Sequence, residues 1–119
     1  AGVFEFANAG NHNIVNMGWM SSDPGVLNIL FNSANIEAGS AFSRFRSEEL
    51  DTLLNNAAVE MDLEARNALY SEAQQIIMEN ALTLPVHNYD RINVMLPSVQ
   101  GWSVDADGYT WLGGVSLAQ

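Results

Sequence analysis

The chain has 119 residues, no cysteine, and 14 acidic residues against four arginines, which gives it a net charge of −10. A surface this acidic offers no cationic patch to neutralise phosphates, so nucleic acid and anionic lipid are excluded as partners. The absence of cysteine from the sequence excludes disulfides, thiolate metal sites and cysteine nucleophiles.

Two further features bear on the membrane and on location. No apolar run approaches the roughly 18 residues of a membrane span, so we expect no direct membrane insertion. The first residues, AGVFEFANAG, carry no basic region followed by an apolar stretch, so we expect a signal peptide to be absent from this sequence.

The first third of the chain predicts two short strands and a short helix. Residues 3–19 alternate loosely between apolar and polar, with Gly10 and Asn11 as a turn signal, which favours strands at VFEFA and NIVNMGW. Asp23 and Pro24 predict a helix start, because the carboxylate can accept backbone N–H groups while proline presets the first helical φ. The segment NSANIEAGSAFS, small and polar, then predicts a loop.

Two longer helices follow. Ser47 is predicted to cap a helix from Glu48 to about Val59. Asp62 is predicted to cap a longer helix from Leu63 to about Asn80. Their predicted buried stripes consist of apolar residues at helical spacing: Leu50, Leu53, Leu54, Ala57 and Ala58 in the first helix, and Ala65, Leu69, Ala73, Ile76 and Ile77 in the second.

After Asn80 the apolar pattern changes to short extended runs. These runs are LTLPVHN, INVMLP, VQGWSV and YTWLG. Because Pro85 and Pro97 have no N–H to donate, we expect either that their runs form edge strands or that the prolines lie at strand ends. The predicted fold class is therefore α/β or α+β, with helices in the middle packed on short strands at both ends.

The sequence shows no recognisable catalytic or metal-binding pattern. His12 and His87 lie far apart and outside any ligand-spaced cluster, so we expect no metal site and no cofactor. No nucleophile elbow, phosphate-binding loop or dinucleotide fingerprint occurs, and the acidic pairs fit helix caps and turns. Asp105 and Asp107, in SVDADGY, mark such a turn. A hydrolase is disfavoured on these grounds, and we predict that the chain is not an enzyme.

Aromatic residues beside polar groups are the remaining candidates for a site. Trp19 stands next to Ser21, Ser22 and Asp23, and a second group comprises Trp102, Tyr109 and Trp111. Flat rings with a few hydrogen-bonding groups suit a small ligand. Packing of the tryptophans at the ends of a core is the alternative.

Four ordered stretches carry a family resemblance. They are NIVNMGWMSSDPGVLNILFNS, FSRFRSEELDTLLNNA, LEARNALYSEAQQIIMENALTLPVHN and VQGW, and the third has Arg66, Tyr70, Gln74, Ile76 and Pro85 at matching positions. In this order and at this spacing they resemble the C-terminal third of family-5 extracytoplasmic solute-binding proteins of ABC importers, a group that includes peptide- and dipeptide-binding proteins.

The resemblance implies the C-terminal part of a periplasmic-binding-protein-like fold of type II. It further implies that residues 1–119 form one structural unit belonging to a larger two-lobed protein. Residues 1–90 would be a segment of the second lobe, and residues 91–119 would be C-terminal strands crossing back toward the first lobe.

The resemblance also implies a ligand site at the end of the Gly-Trp strand, at the cleft between the lobes. Trp19 would supply an apolar wall, Ser21 and Ser22 neutral hydrogen bonds, and Asp23 either a ligand contact or only a helix cap. Peptide binders of the family place an Asp three residues after this Trp, to pair with the ligand's α-ammonium. Here that position is Ser22, which leaves the ligand class open.

The implied function is that of the substrate-binding component of an ABC importer, which captures a peptide or other small solute and delivers it to a membrane permease. The implied location is extracytoplasmic, in the periplasm or lipid-anchored at the cell surface. The alternative is a self-associating interaction module without a ligand site, forming a homo-oligomer through exposed strand edges.

Overall fold

The computed structural model describes residues 2–88 and 90–118, and the chain forms two compact units. The first, here called the helical unit, comprises Ala1–Met17 and Asp23–Pro85. The second, here called the hairpin unit, comprises Gly18–Ser22 and Val86–Gln119. The predicted division of the chain, as one structural unit, into a second-lobe segment (1–90) and C-terminal strands (91–119) concerns a larger two-lobed protein. This division stays a prediction.

The helical unit contains four α-helices and one short 3₁₀ turn. The α-helices are α1 (Gly2–Asn8), α2 (Val26–Phe31), α3 (Glu48–Val59) and α4 (Leu63–Glu79), and the 3₁₀ turn is Ser33–Asn35. Within the described ranges, no helix is both long enough and apolar enough to span a bilayer.

The two strands predicted before residue 20 are wrong. Residues 2–8 form α1, and residues 11–21 have no regular secondary structure. The apolar residues of VFEFA recur at helical as well as strand spacing, so a run this short does not decide between the two. The helix buries Ala7 and brings Phe4 within 6.3 Å of Phe42, measured between ring centroids.

The predicted caps and bounds of α3 and α4 are confirmed. The Ser47 hydroxyl accepts a hydrogen bond from the Leu50 N–H at 3.2 Å, and an oxygen of Asp62 accepts one from the Ala65 N–H at 2.8 Å. Each cap satisfies an amide that the helix itself leaves unpaired, and so fixes where the helix begins.

The core of the helical unit lies between α2, α3 and α4. Its buried members are Phe31, Leu50, Leu54, Ala57, Tyr70, Ala73 and Ile77. Leu53, Leu69 and Ile76 pack against this cluster, as the helical spacing predicts, whereas Ala58 and Ala65 are exposed. Tyr70 is a core residue that the apolar pattern did not include.

The hairpin unit contains four strands of two residues each: β1 (Val99–Gln100), β2 (Ser103–Val104), β3 (Thr110–Trp111) and β4 (Ser116–Leu117). β1 pairs antiparallel with β4, and β2 with β3. The predicted runs VQGWSV and YTWLG contain strands, but LTLPVHN and INVMLP, which lie within the described ranges, contain none. A strand requires a hydrogen-bonded neighbour, and those two runs have none within the described part.

The fold class is confirmed in its coarse form, as helices combined with small antiparallel sheets. The prediction of strands at both ends is wrong at the amino-terminal end, where α1 stands. Strands are present only after residue 98 in the described part of the chain.

Candidate functional site

The four predicted ligand residues follow one another in sequence but divide between the two units. Trp19, Ser21 and Ser22 belong to the hairpin unit, and Asp23 belongs to the helical unit. All four side chains are exposed, and Trp19 exposes 53% of its surface. An indole this accessible does not fill the end of the hydrophobic core in the described part of the chain.

Asp23 has a clear local role at the start of α2. Its Oδ1 accepts a hydrogen bond from the Gly25 N–H at 2.8 Å, and its carbonyl oxygen accepts one from the Val26 N–H at 3.2 Å. The helix itself begins at Val26, two residues after Pro24, with Gly25 as its N-cap residue and no side-chain cap hydrogen bond, so the predicted start at Asp23 and Pro24 is wrong. The Asp23 carboxylate instead satisfies an amide in the turn that leads into α2. The predicted ligand contact of Asp23 stays a prediction.

Ser22 is fixed by a residue far along the chain. Its backbone N–H donates to Oδ1 of Asp107, across a sequence separation of 85 residues. Asp107 lies in the turn between β2 and β3, so residues 18–22, here called the tryptophan loop, contact the tip of a hairpin in the same unit. Sequence reasoning assigned Asp107 to a turn and missed this contact.

The hairpin turn is held by hydrogen bonds on both sides. The Gly108 N–H donates to the carbonyl oxygen of Asp105 at 3.0 Å, and the Tyr109 N–H donates to Oδ1 of Asp105 at 2.8 Å. The guanidinium of Arg91 donates to the carbonyl oxygen of Gly108. Gly108 has φ +77°, a conformation that glycine adopts readily, and the turn therefore forms without backbone strain.

The described residues contain no group of three or more histidine or acidic side chains arranged to hold a metal ion. His12 instead has a structural contact, since its Nε2 donates to the carbonyl oxygen of Phe42 at 3.1 Å. The carboxylates of Asp51 and Asp62 bind neighbouring amides within the helical unit.

Three curated relatives match the chain, although no family model does. A probable di/tripeptide-binding protein 5 of Pseudomonas aeruginosa is 31% identical over 105 residues, which are 86% of this chain and 20% of the relative. Heme-binding protein A of Haemophilus influenzae is 35% identical over 103 residues, 84% of this chain and 19% of the relative. Periplasmic murein peptide-binding protein MppA of Escherichia coli is 28% identical over 100 residues, 82% of this chain and 18% of the relative.

The chain corresponds in sequence to the C-terminal portion of family-5 solute-binding proteins of ABC importers. The resemblance predicted from the four sequence stretches is thereby confirmed. The chain spans about a fifth of the length of the curated relatives it matches, with 20%, 18% and 19% coverage of the three.

Two surface depressions of the helical unit are lined by residues other than the four predicted ligand residues. One, of about 570 Å³, is lined by Gly2, Val3, Phe6, His12, Ile14, Val15 and Asn16. The other, of about 450 Å³, is lined by Phe45, Ser47, Glu49, Leu53, Glu72, Gln75, Ile76, Glu79 and Asn80. The assignment of Trp19, Ser21, Ser22 and Asp23 to a ligand site therefore stays a prediction.

Proposed function

We propose that this chain is part of the substrate-binding component of an ABC importer, which captures a peptide or another small solute outside the cytoplasm and delivers it to a membrane permease. The observation that carries the proposal is the match of more than four-fifths of the chain to relatives that are all described as binding proteins, with coverage of 86%, 82% and 84%. Two of the three relatives are described as peptide-binding and one as heme-binding.

The same relatives support further parts of the proposal. Because they are described as binding proteins, reversible binding without catalysis is the proposed activity. One of them is described as periplasmic, which supports an extracytoplasmic location. Because they align through their C-terminal portions, we propose that the chain forms the C-terminal part of a two-lobed, type II periplasmic-binding-protein-like fold.

The proposed ligand site is the tryptophan loop. The Trp19 indole is about half exposed, at 53%, and would form a flat apolar wall against the solute. Ser21 and Ser22 would offer neutral hydrogen bonds from their hydroxyls. Asp23 would hold the turn before α2, since its carboxylate already binds the Gly25 N–H.

The test is calorimetric titration of the complete natural polypeptide with three probes: trialanine, N-acetyl-trialanine and haemin. Binding of at least one probe is expected, and Trp19→Ala should weaken it roughly tenfold or more, since a buried aromatic contact contributes on the order of 1–3 kcal/mol. Ile29→Ala, which should leave the affinity unchanged, is the matched control, because Ile29 is similarly exposed, at 45%, but lies in α2 and not in the tryptophan loop.

Two results would count against the proposal. Failure of the wild-type polypeptide to bind any of the three probes would contradict a solute-binding role for these ligand classes. Equal affinities for wild type, Trp19→Ala and Ile29→Ala would leave the solute-binding role in place and reject the tryptophan loop as the site.

A second candidate function, self-association without a ligand site, has one observation in its favour. Ile92, Val94 and Leu96 recur at every second position in a segment of the hairpin unit that forms no strand, and their side chains are exposed. Exposed apolar residues at strand spacing can pair with another chain. Light scattering over a concentration series, with Val94→Lys as the disrupting variant, tests this: self-association predicts a dimer or larger species that the variant converts to monomer.

A further inference from the structure

The larger surface depression of the helical unit, about 570 Å³ in volume and here called the α1 groove, is lined mainly by apolar side chains. Val3 and Phe6 of α1 line it together with Ile14 and Val15, which belong to the irregular segment after the helix. In the described part of the chain, Val3, Phe6 and Ile14 expose 62%, 54% and 92% of their surface. Apolar residues that are grouped and this accessible mark an interaction surface.

Contacts with one loop hold the α1 groove in shape. His12, a lining residue, donates from Nε2 to the carbonyl oxygen of Phe42 at 3.1 Å. The Arg44 guanidinium donates to the carbonyl oxygen of Asn8, the last residue of α1, at 3.1 Å. The helix and the segment after it are therefore both attached to residues 42–44. A surface that is formed in advance loses little conformational entropy when a partner covers it.

The chemistry of the lining indicates what kind of partner fits. Although the chain has 14 acidic residues, the lining residues that the structure describes include no acidic side chain and no arginine. Interfaces that stay covered permanently are more apolar than transient ones, and the centres of interfaces are depleted of charge. The α1 groove therefore suits a permanent apolar partner better than a charged surface that docks transiently.

The curated relatives indicate where such a partner comes from. The matched regions make up 20%, 18% and 19% of the three relatives and lie in their C-terminal portions, so most of each relative precedes its matched region. The α1 groove is built within residues 2–16, at the start of the described chain. A preceding segment of the same polypeptide is tethered near this groove, and so has a higher effective concentration there than a separate molecule has.

We propose that an apolar segment of the preceding part of the complete natural polypeptide covers the α1 groove, which makes the groove an internal packing surface and not a solute site. This inference rests on the proposed function, in the part that makes the chain the C-terminal portion of a longer protein. Covering Phe6 and Ile14 removes their apolar surface from water, and this burial holds the segment in place.

The first test measures how fast a maleimide modifies a single introduced thiol in the complete natural polypeptide, native and unfolded in urea, with each site read by peptide mass spectrometry. Ile14→Cys places the thiol in the α1 groove, and the 119 residues contain no other cysteine. Its modification should be roughly tenfold or more slower in the native polypeptide than in urea, since it requires local opening. Met61→Cys is the matched control, because Met61 is also 92% exposed and outside regular secondary structure, and should react freely in both states.

The second test identifies what covers the groove. A photo-reactive p-benzoylphenylalanine in place of Phe6 keeps an aromatic ring in the α1 groove and forms a covalent bond with the chain that lies against it. The expected product is a cross-link within one polypeptide, to a peptide that precedes this region. A product of doubled mass would overturn the inference in favour of a second copy, and a cross-link confined to residues 1–119 would overturn it as well.

The outcomes separate this inference from the proposed function. Equal native and unfolded rates for Ile14→Cys would overturn the covered groove, even if the polypeptide binds trialanine or haemin. A slow native rate for Ile14→Cys, with the expected cross-link, supports the covered groove even if the polypeptide binds none of the three probes. In that case only the solute-binding role is rejected.

Discussion

The carboxylate of Asp51 accepts two hydrogen bonds from Ser33, one from its backbone N–H at 2.8 Å and one from its hydroxyl at 2.5 Å. Ser33 begins the 3₁₀ turn that follows α2, and Asp51 lies in the first turn of α3. One side chain thus joins two elements that enclose the core. Both bonds are partly buried, so water replaces them only in part when one partner is removed.

Replacing Asp51 with alanine should lower the free energy of unfolding by about 1–3 kcal/mol, because two donors of Ser33 lose a charged acceptor. Urea unfolding of the chain, followed by circular dichroism, measures the change. Glu48→Ala is the matched control, since Glu48 is also an acid in the first turn of α3 but is exposed. Equal losses in both variants would mean that Asp51 acts only through the helix dipole.

The centre of the helical unit provides a second prediction. Leu54 is fully buried, with 0% exposure, between α2, α3 and α4. Leu54→Ala should lower the free energy of unfolding by about 2–5 kcal/mol, since it removes apolar burial and leaves a cavity. Leu63→Ala, at a position 60% exposed, should change it by less than about 0.5 kcal/mol in the same urea experiment. Similar losses in the two variants would contradict the assigned core.

The hairpin unit depends on Gly101, the first of the two residues between β1 and β2. Its φ is +71°, and an added Cβ would lie 2.0 Å from the carbonyl oxygen of Gly114. Gly101→Ala should therefore break the β1–β4 pairing. The Ala118 N–H, which donates to the Ser98 carbonyl at 2.8 Å, reports on this pairing.

Hydrogen exchange of the Ala118 amide should accelerate roughly tenfold or more in Gly101→Ala, as expected for about 1–3 kcal/mol of strain. Gly18→Ala is the control within the same unit, because a Cβ there meets no atom within 4 Å. Unchanged exchange in Gly101→Ala would show that the pairing tolerates a side chain at this position.

The two long helices were predictable because their signals are local. Ser47 and Asp62 each bind an amide three residues further on, and apolar spacing within one helix marks its buried face. The sequence therefore predicts both the caps and the bounds. Among the residues of the two predicted buried stripes, Ala58 and Ala65 turned out exposed, and each lies at one end of its stripe.

The strands were less predictable because pairing depends on residues elsewhere in the chain. Val99 of β1 pairs with Leu117 of β4, a partner that the local pattern does not reveal. The run INVMLP has strand-like alternation yet no strand partner among the described residues, so it forms no strand there. In α1 the apolar run was too short to separate the helical period from the strand period.

The candidate site was predictable only in part. Trp19 is signalled by its type and by its neighbours, and its exposed indole agrees with a surface role. The contact of Asp107 with Ser22 is non-local, because 85 residues separate the two. SVDADGY is fully explained as a turn by its composition, so nothing in the sequence ties Asp107 to the tryptophan loop.

Asp23 allows a direct test between a turn-stabilising role and a ligand contact. Asp23→Ala removes the acceptor of the Gly25 N–H, and should lower the free energy of unfolding by about 1 kcal/mol. Asp23→Asn keeps an acceptor oxygen and should change the free energy of unfolding by only about a few tenths of 1 kcal/mol. Urea unfolding of the two variants side by side measures both changes.

If Asp23 only holds the turn before α2, trialanine affinity measured by calorimetry should be the same in Asp23→Asn as in wild type, since this turn is preserved while the charge is lost. A ligand contact predicts the opposite pattern: stability retained in Asp23→Asn with affinity reduced roughly tenfold or more, because a charge-assisted bond is exchanged for a neutral one. The hydrogen bond to Gly25 favours the first result, since that bond already occupies Oδ1 of the carboxylate.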